Sequence, residues 1–150
     1  MNSRAPSRRA ALSGGACAIV LLARPASAEP ADREGAIRRF TGGAAIARGR
    51  VTLDLPPLVE NGNAAPLTVT VESPMSEADH VRRIAVFNER NPQPNVVTTS
   101  FGPQSGRAML TTRIRLATSQ TITAVAEMSD GTYRSASADV IVTLAACVEG

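Results

Sequence analysis

The chain has 150 residues, a length that fits one domain. All 16 of its basic residues are arginine, and its formal net charge is +3. Residues 1–28 hold four of these arginines and no acidic residue, so the other 150 − 28 = 122 residues carry 12 Arg and 13 Asp/Glu, a net charge of 12 − 13 = −1. A domain so close to neutral lacks the basic surface that binds phosphate backbones, which excludes a nucleic-acid-binding function.

Residues 1–28 have the composition of an export signal. Arginines precede an apolar stretch over 10–23, and a small-residue cleavage site follows at 26–28. The pair Arg8-Arg9 favours the twin-arginine route over an ordinary secretory signal. The apolar stretch is too short and too rich in glycine for a transmembrane helix, which needs about 20 apolar residues. We therefore expect an exported protein whose mature form begins just after this signal.

Residues 29–48 are expected to form an N-terminal arm with one short helix. The segment 31–40 has acidic residues early and Arg38 and Arg39 late, which agrees with the helix dipole. Thr41-Gly42-Gly43 then ends the helix. We find no sign of a second domain or of an internal repeat.

From residue 49 onward, apolar and polar residues alternate, as in β-strands with one buried face. Segment 81–89 is apolar on both faces, which favours a central strand, and Ser129-Asp130-Gly131 is typical of a hairpin turn with a positive φ. The predicted strands are 50–55, 67–72, 81–89, 96–101, 110–116, 121–128 and 140–144. Short strands with regular turns over about 100 residues predict an all-β fold, an antiparallel β-sandwich spanning 49–144.

The mature chain keeps one cysteine, Cys147, because Cys17 lies in the export signal. An unpaired cysteine in an exported protein indicates either intermolecular pairing or a reactive thiol. Most buried single cysteines are small core residues, but the last residues of a chain are usually loose. Because each extended residue adds roughly 3.3 Å, we expect the C-terminal tail, residues 145–150, to carry the thiol about 10 Å out from the domain.

Other chemistries lack the residues they need. A zinc or copper site requires three or four converging ligands, and the single histidine, His80, would form one with Met75 and Cys147 only in an unusual fold. A cysteine hydrolase needs a base and an oxyanion hole beside its nucleophile, which a terminal thiol does not guarantee. Arg113 and Arg115 share one strand face, which is either solvated or part of a partner interface. We therefore expect no catalytic residue, no metal and no cofactor.

Several blocks of the sequence carry a family resemblance. They are Leu55-Pro56, Glu60-Asn61-Gly62, Ser73-Pro74-Met75, Asn91-Pro92, Gly106-Arg107-Ala108, Thr112-Arg113-Ile114-Arg115-Leu116, Gln120 and Ala124-Val125-Ala126-Glu127-Met128-Ser129-Asp130-Gly131. Together they closely resemble SoxY, the sulfur-carrier subunit of the periplasmic Sox thiosulfate-oxidation system, over nearly all of the mature chain. A twin-arginine signal is also usual in that family.

The resemblance implies an immunoglobulin-like sandwich that pairs with a SoxZ-like subunit. It also implies that Cys147 is the covalent attachment residue. The c-type cytochrome SoxAX would join thiosulfate oxidatively to this thiol, the hydrolase SoxB would release sulfate, and the sulfur dehydrogenase SoxCD would be a further transient partner. The carrier itself would be periplasmic, with no membrane anchor, and would not be an enzyme.

The tail departs from the family pattern Gly-Gly-Cys-Gly-Gly. Here Ala145-Ala146 precedes Cys147, and Val148-Glu149 follows it. Alanine is stiffer than glycine and Val148 is bulkier, so a partner channel fitted to glycines would accept this tail less well. The leading hypothesis is a covalent sulfur carrier. The alternatives are a SoxY-like structural or binding subunit with impaired substrate loading, and a redox or copper-handling exported domain, which the lack of histidines disfavours.

Overall fold

The computed structural model describes residues 32–147, so the predicted export signal and the last three residues lie outside the described part. It contains one α-helix and nine strands. These are α1 (Arg33–Thr41), β1 (Ile46–Arg48), β2 (Val51–Asp54), β3 (Leu58–Asn61), β4 (Ala65–Val71), β5 (Val81–Asn88), β6 (Asn95–Ser100), β7 (Ala108–Ile114), β8 (Gln120–Met128) and β9 (Tyr133–Leu144). The described chain is thus mostly β-structure with one short helix, and no helix within it is long and apolar enough to cross a membrane.

The strands form two sheets. The large sheet has the order β1-β9-β8-β5-β6, with β3 also paired to β9, and the small sheet has the order β2-β4-β7. The main core lies between them, because buried side chains of the small sheet, such as Leu67 and Val69, join one cluster with Ile84 and Ile122 of the large sheet. β5 lies inside the large sheet and is buried on both faces from Ile84 to Asn88, which confirms the prediction of a central strand.

Two strand pairs differ from the prediction of a wholly antiparallel fold. β1 runs parallel to the start of β9, and β3 runs parallel to its end. β9 has 12 residues and begins at Tyr133, whereas the predicted strand covered only 140–144. β1 and β3 have three and four residues, too few to show a clear alternation. Pairing with the long β9 satisfies the hydrogen-bonding groups of their backbones. Their local sequence does not predict this pairing.

Local capping sets the limits of α1. The side chain of Asp32 accepts hydrogen bonds from the backbone N–H groups of Glu34 and Gly35, and this satisfies donors that the first helical turn leaves unpaired. At the other end, Gly42 takes the left-handed conformation with φ 64°, and its N–H donates to the carbonyl of Arg38. The helix therefore lies within about two residues of the predicted segment.

The helix packs on the outer face of the large sheet, which is the face turned away from the main core. Phe40 meets Phe87 of β5 and Tyr133 of β9 edge to face, with ring centroids 5.9 and 6.0 Å apart. The guanidinium of Arg83 lies 4.5 Å from the centroid of the Phe40 ring and is paired with Glu127. The helical part of the predicted arm is thus fixed to the domain.

Candidate functional site

The thiol of Cys147 is the chemically reactive group that the sequence singles out. Its residue follows β9 by three positions, and it is exposed and free of any disulfide. Residues 148–150 lie outside the described part. The site therefore consists of the thiol, the end of β9 and the elements that hold the chain just before the cysteine.

The residue before the cysteine is tied to the body of the domain. The backbone N–H of Ala146 donates to the carbonyl oxygen of Leu116 at 3.0 Å, and only 6% of Ala146 is exposed. Leu116 itself is fully buried in the main core. Cys147 is therefore the first residue beyond the anchored part of the chain. A backbone hydrogen bond and burial thus hold Ala146, which lies within the predicted tail.

A glycine completes this anchor, which we call the tail latch: Gly62, Leu116 and Ala146. The N–H of Leu116 donates to the carbonyl of Gly62 at 2.8 Å. A Cβ at position 62 would lie 2.5 Å from the carbonyl oxygen of Leu116 and 2.9 Å from the nitrogen of Ala146. Both distances are too short for any side chain, so the latch requires glycine here. Glu60-Asn61-Gly62 is one of the blocks that carry the family resemblance, but nothing in the sequence predicts its contact with the tail.

A half-buried network of side-chain amides holds the segment around Leu116. The side-chain oxygen of Asn91 accepts from the backbone N–H of Ala117, and its side-chain nitrogen donates to the carbonyl of Arg115. Gln120 donates to the same side-chain oxygen of Asn91. These bonds fix both neighbours of Leu116 to the loop between β5 and β6. The carbonyl that holds the tail is therefore rigidly placed.

Three large apolar side chains are exposed on β3 and near the end of β9. Leu58 of β3 pairs with Ile141 of β9, and both are on the outer face of the large sheet, while Leu144 ends β9. They expose 53%, 60% and 63% of their surface, respectively. Met109 is the fourth large apolar residue of residues 32–147 that is exposed, and it lies on β7 of the small sheet. Three of the four are thus on β9 or on its neighbour β3, with Leu144 on the face opposite to that of Leu58 and Ile141.

The structure separates the three residues of the hypothetical soft-metal site. His80 donates its backbone N–H to Ser129, in the turn that precedes β9, and its Nδ1 lies 3.0 Å from the carbonyl oxygen of Ser76. Met75 is buried in the main core. Cys147 lies beyond the other end of β9, whose 12 residues span about 40 Å. Within residues 32–147, no group of three or more His, Cys, Asp or Glu residues is placed to hold a metal ion.

The turn before β9 has the conformation that its sequence predicts. Gly131 has φ 81°, and the N–H and hydroxyl of Thr132 both donate to the carboxylate of Asp130. These hydrogen bonds hold the pKa of Asp130 below its ordinary value. The bond from the hydroxyl lowers it most, and the bond from the backbone N–H comes second. Arg113 and Arg115, at the end of the small sheet, are exposed. None of these groups lies next to Cys147 in the sequence.

Comparisons with known proteins agree with this geometry. The family model described as sulfur oxidation protein SoxY matches residues 37–147. The structure is similar to that of the sulfur carrier protein SoxY from Chlorobium limicola f thiosulfatophilum, with 24% identity, a TM-score of 0.63, and coverage of 74% of this chain and 96% of that one. No curated protein matches the chain.

Superoxide reductases share the fold at lower similarity. The enzyme from Ignicoccus hospitalis has 18% identity and a TM-score of 0.56, covering 63% of this chain and 80% of that one. A putative superoxide reductase from Thermotoga maritima has 22% identity and a TM-score of 0.52, covering 69% and 89%. These likenesses show the architecture only.

Proposed function

Because the chain belongs to the SoxY family, we propose that it is a periplasmic sulfur carrier that holds thiosulfate-derived sulfur covalently on Cys147. One observation carries the assignment to this residue: the thiol is free, exposed and placed directly after the last anchored residue of the chain. In this proposal residues 1–28 direct export by the twin-arginine route. The arm (29–48), an immunoglobulin-like sandwich (49–144) and the tail (145–150) make up the mature carrier.

The proposed chemistry divides between the carrier and its partners. In the loading step, the sulfane sulfur of thiosulfate forms an S–S bond with Cys147: R–SH + S₂O₃²⁻ gives R–S–S–SO₃⁻ + H⁺ + 2 e⁻. The two electrons pass to a c-type cytochrome. Hydrolysis then breaks the S–SO₃ bond: R–S–S–SO₃⁻ + H₂O gives R–S–SH + SO₄²⁻ + H⁺. The bound sulfur stays on the carrier for the next oxidation.

The surroundings of the thiol support a carrier that is not itself an enzyme. The latch residues Gly62, Leu116 and Ala146, which hold the chain just before Cys147, are small or aliphatic and meet through backbone groups. Activating a thiol takes a base or a nearby positive charge, and stabilising an anionic intermediate takes aimed donors. We propose that partner enzymes supply these groups. In family terms they are SoxAX, SoxB and SoxCD, and a SoxZ-like subunit completes the carrier as a heterodimer.

Intact-mass measurement tests the proposal. Mature protein is purified from cells grown on thiosulfate, and its mass is measured before and after treatment with a reductant. We expect a sulfur adduct that the reductant removes and that is missing from Cys147→Ser. A matched control, Ser137→Ala, leaves the thiol in place and should keep the adduct. A wild-type protein that carries only an unmodified thiol under these conditions would overturn the carrier function.

A second candidate is a SoxY-like structural or binding subunit that loads substrate poorly. Two observations favour it: the family's flanking glycines are replaced, and the latch holds Ala146 to the body. The test compares the wild type with a quadruple variant, Ala145→Gly, Ala146→Gly, Val148→Gly and Glu149→Gly. If the glycine tail is loaded at least tenfold faster than the natural tail, loading is impaired in this chain. Equal rates support the full carrier.

A further inference from the structure

The peptide group between Leu116 and Ala117 is held at both of its ends. Its N–H, which belongs to Ala117, donates to the side-chain oxygen of Asn91 at 3.1 Å. Its carbonyl, which belongs to Leu116, accepts from the N–H of Ala146 at 3.0 Å. Because a trans peptide group is planar and its N–H and C=O point in opposite directions, Asn91 and the tail lie on opposite sides of it. The bond to Asn91 therefore sets the direction in which the carbonyl faces the tail.

The preceding peptide group, between Arg115 and Leu116, is held in the same way. Its carbonyl, which belongs to Arg115, accepts from the side-chain nitrogen of Asn91 at 2.8 Å. Its N–H, which belongs to Leu116, donates to the carbonyl of Gly62 at 2.8 Å. One asparagine side chain thus holds both peptide groups that flank Leu116. A hydrogen bond at one end of a peptide group polarises that group and strengthens the bond at its other end.

Gln120 fixes the orientation of the Asn91 side chain. It is only 6% exposed, and its side-chain nitrogen donates to the side-chain oxygen of Asn91 at 2.8 Å and to the carbonyl of Thr118 at 3.2 Å. Its side-chain oxygen accepts from the N–H groups of Glu89 and Arg90. Two donor bonds and two acceptor bonds use the whole hydrogen-bonding capacity of this amide, so it has one orientation. Asn91 is thereby held with its oxygen toward Gln120 and its nitrogen away from it.

We propose that Asn91 is a positioning residue for the sulfur chemistry of Cys147 and acts through the tail latch. The proposal rests on the carrier function proposed above. Asn91 holds the carbonyl that anchors Ala146, and Cys147 is the next residue, so its Cα lies about 3.8 Å from an anchored Cα. Without that anchor, the last fixed residue is Leu144 at the end of β9, and the tether grows from one residue to three. The thiol then occupies a larger volume and meets the active site of a partner less often.

The test combines amide hydrogen exchange with a steady-state loading assay. The assay uses the purified thiosulfate-coupling c-type cytochrome, with the carrier as the varied substrate and adduct mass as the readout. Asn91→Ala should speed exchange at the Ala146 amide at least tenfold and lower kcat/KM for the carrier at least threefold. Asn91→Asp keeps the acceptor and loses only the donor to the carbonyl of Arg115, so both effects should be smaller.

Two controls separate positioning from stability and from thiol exposure. Val71→Ala removes buried apolar volume at the end of β4 that is farther from Gly62, so it should destabilise the domain. It should leave both readouts unchanged, because the tail opens locally without unfolding the domain. Alkylation of Cys147 by iodoacetamide needs no protein partner, and its rate should be the same in all variants because the thiol is already exposed.

The possible outcomes distinguish the positioning role from the carrier function. An unchanged kcat/KM in Asn91→Ala overturns the positioning role while the carrier function stands. Faster loading in this variant also overturns it, since the latch would then hinder the thiol. An equal fall of kcat/KM in Val71→Ala would show that stability alone is responsible. If the wild type takes up no sulfur at all, the carrier function fails, and the positioning role fails with it.

Discussion

The two ends of β9 differ in whether the chain covers their outer face. At its start, Tyr133 is buried under α1, where Phe40 packs edge to face against it. At its end, Ile141 is on the same face and is left exposed, and the chain runs on to a latched residue and a free thiol. The covered end serves stability, because its apolar area is buried inside the chain. At the open end, the apolar side chain of Ile141 stays exposed instead. Five predictions test this contrast, from the largest expected effect to the smallest.

Removing the aromatic cover should cost the most. Phe40→Ala deletes the ring that meets Phe87 and Tyr133, and we expect a loss of about 2–4 kcal/mol in the free energy of unfolding, because a half-buried aromatic group is lost. Urea denaturation measures it. Phe40→Leu, which keeps most of the apolar volume, should lose less than half as much. Equal losses in both variants would show that the ring geometry, and not burial, holds the helix.

Opening the latch should come second. Gly62→Ala places a methyl group 2.5 Å from the carbonyl of Leu116, and we expect a destabilisation of about 1–3 kcal/mol from overpacking, together with faster hydrogen exchange at the amide of Ala146. Gly102→Ala is the matched control, since its nearest non-neighbour atom would be 3.7 Å away. Slow exchange at Ala146 that persists in Gly62→Ala would contradict the latch.

Uncapping the covering helix should have a smaller effect. Asp32→Ala removes the acceptor for the N–H groups of Glu34 and Gly35, which should lower the free energy of unfolding by about 1 kcal/mol. Asp32→Asn keeps an acceptor and should lose only a few tenths of that amount. If both variants match the wild type, the helix is held by its packing on the large sheet and not by its cap.

The turn before β9 should show a weak pH dependence. Hydrogen bonds from Thr132 lower the pKa of Asp130 below its ordinary value. A lowered folded-state pKa adds stability that is present above the unfolded-state pKa and is lost as the pH falls through the folded-state value. Thr132→Val removes the hydroxyl donor and should move the pKa of Asp130 back up, as followed by NMR titration of its carboxyl carbon. An unchanged titration curve would mean that the backbone N–H alone sets it.

The open end should tolerate change. Ile141→Thr removes exposed apolar surface and keeps a β-branched side chain, so the free energy of unfolding should stay within about 0.5 kcal/mol of the wild type. Thermal denaturation measures this. A destabilisation above about 1.5 kcal/mol would show that Ile141 packs within its own chain, and would remove the contrast between the two ends.

Much of the fold follows from local sequence. The alternation in β4 and β7 predicts strands with one buried face, and the apolar character of β5 predicts a central strand. β8 also alternates in sequence, although it is buried on both faces. The turn at Gly131 follows from its residue types. β1 and β3 do not follow, because three or four residues carry too little pattern and their pairing depends on the length of β9.

Part of the candidate site also follows from the sequence, and part does not. Cys147 stands out in the sequence because it is the one cysteine outside the predicted export signal. The latch does not, because it joins Gly62, Leu116 and Ala146 through backbone groups, which every residue carries. The exposure of Ile141 also cannot be predicted, since an apolar residue in an alternating strand is normally assigned to the core.

The hydrogen bond between Ala146 and Leu116 sets the effective concentration of the Cys147 thiol near the carrier. A thiol tethered one residue from a fixed point moves within about 7 Å of it, a half-sphere of less than 1,000 Å³, which corresponds to an effective concentration on the order of 1 M. A docked enzyme therefore needs little affinity for the cysteine itself. Inserting two glycines between Ala146 and Cys147 would dilute the thiol severalfold without altering the domain, so the length of this tether adjusts how the carrier presents its cargo.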